Sequence, residues 1–102
     1  MQSTHDRGRI SALHAIRDSI PGTSGKVQQL RLLTAIQTLG SVTTFEAMRN
    51  LDVFDPRPRK LELVRAGHPI QLTWDRTETE AGTVHRIGRY YLARDVTQGV
   101  SA

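Results

Sequence analysis

The sequence predicts an α+β fold: a three-helix core, then a two-stranded β-hairpin, with an extra helix at the N-terminus. Three observations carry this. Up to about Ala66, apolar residues recur every three or four positions, as in helices with one buried face. After Pro69 they alternate, as in a strand with one buried face. Cap and turn residues fall at the boundaries between the periodic stretches.

Ile10, Leu13, Ile16 and Ile20 predict a short amphipathic helix from about Arg9 to Ser19, closed by Pro21-Gly22. Residues 1–25 are therefore read as an N-terminal helix and linker, 26–93 as the folded domain, and 94–102 as a flexible tail. The N-terminal helix either packs on the core of its own domain or offers a homodimer contact through residues 9–20.

The first core helix is expected from Gly25 to Leu39, behind Ser24 as N-cap and before Gly40 as a left-handed C-terminal residue. Its apolar stripe is Val27, Leu30, Leu33, Ala35, Ile36 and Leu39. The second is short, about Thr44 to Asn50. Thr43 and Glu46 have the spacing of a capping box, with Val42 and Ala47 at the staple positions. It is expected to turn Phe45, Ala47, Met48 and Leu51 inward. Leu51-Asp52-Val53 makes the turn. The third helix begins with Asp55 as N-cap and Pro56 at N1, tolerates Pro58 in its first turn, and ends at Ala66 before Gly67.

Ile70, Leu72 and Trp74 alternate with Gln71 and Thr73 on the first hairpin strand. Asp75 to Thr83 is polar and reads as a long hairpin loop. Val84 to Leu92 returns, with Val84, Gly88, Tyr90 and Leu92 on one face. Trp74 and Tyr90 are expected in the core rather than as base-stacking platforms.

Composition narrows the function classes. The chain has 102 residues, a formal charge of +4 and no cysteine. That excludes disulfides, thiolate metal sites and thiol nucleophiles, and it is compatible with a reducing cytosol. No apolar run approaches a membrane span, and the N-terminus lacks a secretory apolar block. Lysine occurs only at Lys26 and Lys60, so the basic residues are mostly arginine. Arginine suits bidentate contacts with phosphate, carboxylate or guanine.

Three helices followed by a hairpin is the layout of a winged helix-turn-helix. The stretch VTTFEAMRNLDVFDPRPRKLELVRAGHPI, with GRYYL on the return strand, resembles small winged helix-turn-helix domains found widely in phage and prophage proteins. The resemblance covers roughly Gln28 to Leu92. It places Thr43, Glu46, Ala47, Leu51, Val53, Arg59, Leu63, Gly67, Ile70, Arg89, Tyr90 and Leu92 at matching positions. Asp52 replaces the usual turn glycine, Lys60 stands where an apolar residue is expected, and Val64 where arginine often sits. Those departures imply a buried face of the third helix rotated onto Leu61 and Val64.

The resemblance implies that the third helix enters the major groove of duplex DNA. Arg57 and Lys60 are the expected leading contacts, then Arg59 and Arg65. Cations at a helix N-terminus oppose the dipole, which makes phosphate an attractive missing partner; intramolecular pairs of Arg59 with Asp55 or Glu62 are the alternative. Thr43, Thr44 and Arg49 would meet the backbone from the second helix, and Arg86 and Arg89 from the base of the wing. The acidic residues Asp75, Glu78 and Glu80 are expected at the wing tip, where they would repel DNA and suit a protein partner instead.

No catalytic or cofactor constellation accompanies these residues. His5, His14, His68 and His85 lack metal-ligand spacing, and no nucleophile motif or phosphate-binding glycine loop is present. The expectation is a cytoplasmic, non-catalytic double-stranded DNA-binding protein without metal or cofactor: a phage or prophage transcriptional regulator, or an excision or replication accessory factor. The rival is a protein-binding module on the same scaffold, such as a phage-encoded inhibitor docking on a nucleic-acid-handling host complex.

Overall fold

In the computed structural model, which describes residues 4–93, helices and strands follow in the order α1 (Thr4–Ser19), α2 (Gly25–Leu39), β1 (Ser41–Thr43), α3 (Thr44–Asn50), α4 (Pro56–Arg65), β2 (Ile70–Glu78) and β3 (Val84–Leu92). The expected tail, 94–102, lies outside the described residues.

The helix boundaries follow from local chemistry. Ser24 accepts a hydrogen bond from the Val27 amide and starts α2; Gly40, at φ 91°, ends it. Thr43 and Glu46 form both halves of the capping box that starts α3. Asp55 caps α4, with Pro56 first in the helix. At the far end, His68 N–H bonds Leu63 C=O and Gly67 N–H bonds Val64 C=O, a Schellman closure that needs the left-handed Gly67 at φ 106°. Asp52 takes the left-handed turn position, φ 55°, that the related domains give to glycine.

The sheet departs from expectation in two ways. It has three strands in the order β1-β3-β2, all antiparallel neighbours, because Ser41–Thr43 pairs with Arg89–Tyr91 before α3 begins. The wing is also longer in its strands and shorter in its loop. β2 continues to Glu78, opposite Val84, so Asp75 sits within the ladder facing Ile87, not at the tip. Arg89 reaches diagonally to Asp75, with Nη2 2.6 Å from Oδ2, and supports this polar part of the ribbon.

Leu13, Ile16, Leu32, Ala35, Ile36, Val42, Ala47, Leu51, Val53, Leu63, Ile70 and Tyr90 share one core. α1 is part of it through Leu13 and Ile16, so those side chains are unavailable to a second copy. Arg9 fastens α1 further: its Nη2 donates to Glu46 Oε1 at 3.0 Å and to Ser41 C=O at 2.7 Å. His14 bonds Asn50 at 3.2 Å.

α2 buries a wider arc than its stripe predicts, because α1, α4 and the sheet all pack on it. Leu32 and Arg31 are inside, while Leu30 is exposed. Arg31, 5% exposed, donates to the carbonyls of Ile20 (2.9 Å), Gly22 (3.0 Å) and Leu51 (3.2 Å). One guanidinium thereby ties the α1–α2 linker to the α3–α4 turn through backbone carbonyls of both, of which that of Leu51 is buried.

Candidate nucleic-acid interface

The turn from α3 to α4 is tightly held. Leu51 N–H bonds Glu46 C=O at 3.2 Å and Val53 N–H bonds Ala47 C=O at 2.9 Å. Val53 is buried, and Phe54, the next residue, projects outward with 86% exposure. Asp55 then accepts from the Arg57 amide at 3.2 Å and from Arg57 Nε at 3.3 Å. These side-chain and backbone hydrogen bonds from Arg57 hold the Asp55 carboxyl below the usual carboxylate value.

This geometry corrects the phosphate argument drawn from the helix start. Pro56 and Pro58 have no amide hydrogen, and the Arg57 amide is taken by Asp55. The first three helical positions of α4 offer no free N–H to an anion. Two of the cations also have local partners. Arg57 pairs with Asp55, and Arg59 Nη2 donates to Glu62 at 3.2 Å. A Cβ on Gly25 would lie 2.6 Å from Arg59 Nη1, so that guanidinium rests against the start of α2 rather than facing outward.

The exposed face of α4 differs from the expected one. Leu63 is buried, whereas Leu61 and Val64 are 45% and 38% exposed. The buried face did not rotate onto Leu61 and Val64: Leu63 and Pro56 lie inward, which turns positions 57, 61, 64 and 65 outward by helical geometry. Arg57 and Arg65 are exposed and Lys60 is half-buried, so two apolar side chains stand among three cations.

The remaining expected contacts divide in the same way. Arg49 on α3 and Arg86 on β3 are exposed. Thr44 is half-buried; Thr43 is buried and its hydroxyl is engaged in the capping box. Arg89 is bound to Asp75 and, through Nη1, to Ser41 Oγ at 2.7 Å. Among the described residues no ion pair involves Arg49, Lys60, Arg65 or Arg86.

Apolar exposure is concentrated near this face. Phe45 and Met48 point outward from α3, contrary to expectation, because only Ala47 of that helix is fully buried. Leu72 and Trp74 share a sheet face with Tyr90 and Gly88, but on β2 that face is buried only at Ile70: Leu72 is 42% and Trp74 52% exposed, because the ribbon runs on past the helices that cover its start. The Arg86 guanidinium carbon lies 4.8 Å from the Trp74 ring centroid. Composition alone did not reveal these exposed apolar residues, since Leu61 and Trp74 both read as core residues.

No group of His, Asp or Glu suited to a metal ion occurs among the described residues, and no helix there is long and apolar enough to cross a membrane.

No curated protein and no solved structure matches the chain. A family model described as a winged helix-turn-helix domain matches residues 27–95. The match takes in nearly all of α2 and everything from β1 through the wing, and leaves α1 outside. That span, together with the α3–turn–α4 unit and its flanking hairpin, shows that the chain belongs to the winged helix-turn-helix domain family.

Proposed function

We propose that this protein binds double-stranded DNA without catalysis, as a cytoplasmic phage or prophage transcriptional regulator or an excision or replication accessory factor. The observation that carries the reading is the outward face of α4, where Arg57, Lys60 and Arg65 surround Leu61 and Val64. Cations contact phosphate or guanine, and small apolar side chains in a major groove contact thymine methyl groups. Arg49, Thr44 and Arg86 flank that face and would add backbone contacts. Arg59, Arg89 and Thr43 serve it indirectly, by holding α4, the wing and α3 in place. A homodimer through residues 9–20 would lengthen the footprint, using Ile10 and its exposed neighbours, because Leu13 and Ile16 are inside the core.

A salt-dependent titration with duplex DNA tests this. Affinity is expected to fall steeply with salt, and Arg57→Ala with Lys60→Ala is expected to lower the log–log slope by about two. No binding to random duplex at low salt would overturn the proposal. The second reading, a protein-binding module, is favoured by the wing: Glu78 and Glu80 lie beside its loop, where phosphate would be repelled.

A further inference from the structure

Between α3, the start of α4 and the sheet face of Trp74 lies a groove of about 510 Å³. Small-molecule sites are of this size, mostly apolar with a few convergent polar groups. Met48, Phe54, Leu72 and Trp74 make the walls. Gly88 makes the floor: a Cβ there would come 2.9 Å from Leu72 Cδ1 and 3.4 Å from Thr44 Cγ2. The absence of that side chain keeps the space open.

The polar groups converge at one end. Tyr90 is 3% exposed, lines the groove, and its hydroxyl forms no hydrogen bond with the described residues. The hydroxyl is therefore free to donate to an acceptor seated in the groove. Arg57 lines the same end. Its Nε is engaged by Asp55, which leaves the terminal nitrogens of its fork. The Arg86 guanidinium covers Trp74 from a neighbouring hollow. Arg57 and Asp55 are the charged residues that line the groove itself, and the unengaged fork of Arg57 is its donor for an anion.

We propose that this groove binds a planar aromatic carboxylic acid of one or two rings. The ring lies against Trp74 between Met48 and Phe54, and the carboxylate accepts from Arg57 and the Tyr90 hydroxyl. Flatness follows from the apolar walls, and the acid from the donors at the inner end. A sugar-phosphate backbone has the charge but not the apolar surface to fill the groove. The proposal stands without the DNA-binding reading, and its test contains no DNA.

Trp74 is the sole tryptophan of the chain. Its indole N–H resonance therefore reports the groove directly. With 2-naphthoate as probe, that resonance is expected to shift saturably, and calorimetry is expected to give one site. The neutral amide, 2-naphthamide, is expected to bind about tenfold more weakly, through loss of the charge-assisted bonds. Tyr90→Phe, which removes one oxygen from a well-packed ring, is expected to weaken 2-naphthoate roughly threefold to tenfold. Gly88→Val is expected to abolish binding by filling the floor. If that variant does not fold, Tyr90→Phe and the amide decide. A resonance that never saturates, or wild-type affinity in Tyr90→Phe and for the amide, would overturn the proposal. So would an acidic apolar peptide that binds where 2-naphthoate does not.

Discussion

Arg31 and Arg57 are the same residue under opposite conditions, and the two regions around them are built accordingly. At the junction of α1, α2 and the α3–α4 turn, the buried guanidinium of Arg31 meets four backbone carbonyls, and Arg9 meets Glu46 and Ser41. On the outward side of α4 and the wing, Arg57 has only Asp55, and Phe54, Leu61 and Trp74 stand in water. The first region is where the protein is held together. The second contributes little to that, which leaves its side chains available for recognition.

The largest expected effect is at Arg31. Arg31→Ala removes the tie between the linker carbonyls of Ile20 and Gly22 and the α3–α4 turn, strands the buried Leu51 carbonyl and opens a space beside it. A loss of about 3 kcal/mol is expected. For a domain of this size that is a melting temperature lower by roughly 12–24 °C. Thermal unfolding by circular dichroism measures it. A midpoint within a few degrees of wild type would break the contrast between the two regions.

A smaller effect, with a pH signature, is expected at Glu46. Burial raises the pKa of its carboxyl, but the Arg9 hydrogen bond, the Thr43 amide and the nearby Arg9 and Arg89 charges outweigh burial and hold it below 4.5. A depressed carboxylate contributes stability that is complete above its unfolded value and disappears as pH falls through the folded one. Glu46→Gln keeps an acceptor for the capping box and removes the charge facing Arg9. It is expected to cost about 1–2 kcal/mol at pH 7, measured by urea unfolding, with the gap closing below about pH 4.5. Asp75, held low by Arg89, titrates in both proteins and cancels from the difference. A gap of equal size at pH 7 and pH 3 would show that Arg9 does not act through the Glu46 charge.

The two regions were unequally legible in the sequence. The helices of the core were readable because their signals are local: Ser24, the Thr43–Glu46 box, Asp55 and Gly67 each act within a turn or so of chain. β1 was not readable, since three residues show no period and Ser41–Thr43 becomes a strand only by pairing with residues 89–91. Nor was the ladder from Asp75 to Glu78, whose two faces are both polar because the ribbon projects beyond the helices. Arg31 was invisible for a related reason: its partners are backbone carbonyls of residues 20, 22, 51 and 52, and a cation inside an apolar stripe reads as outward-facing. At the candidate interface, the expected exposure of Arg57 and Arg65 on α4 agrees with the structure. Arg59 and the apolar pair were misplaced, because positions 61, 63 and 64 allow more than one rotation of α4, and only the packing of Leu63 and Pro56 chooses between them.

The smallest expected effect on stability sharpens the comparison most. Arg57 has 81% of its side chain exposed, and its bond to Asp55 is a solvated one. Asp55 keeps the position-57 amide as its capping donor when Arg57 is replaced, since that bond comes from the backbone. Arg57→Ala is therefore expected to leave the urea midpoint of unfolding unchanged while weakening duplex DNA binding severalfold at low salt. The same truncation, arginine to alanine, then gives a large stability loss at position 31 and none at position 57. Unfolding of Arg57→Ala comparable to Arg31→Ala would mean that the start of α4 depends on its cation, and that its arginines are there for the fold rather than for a partner.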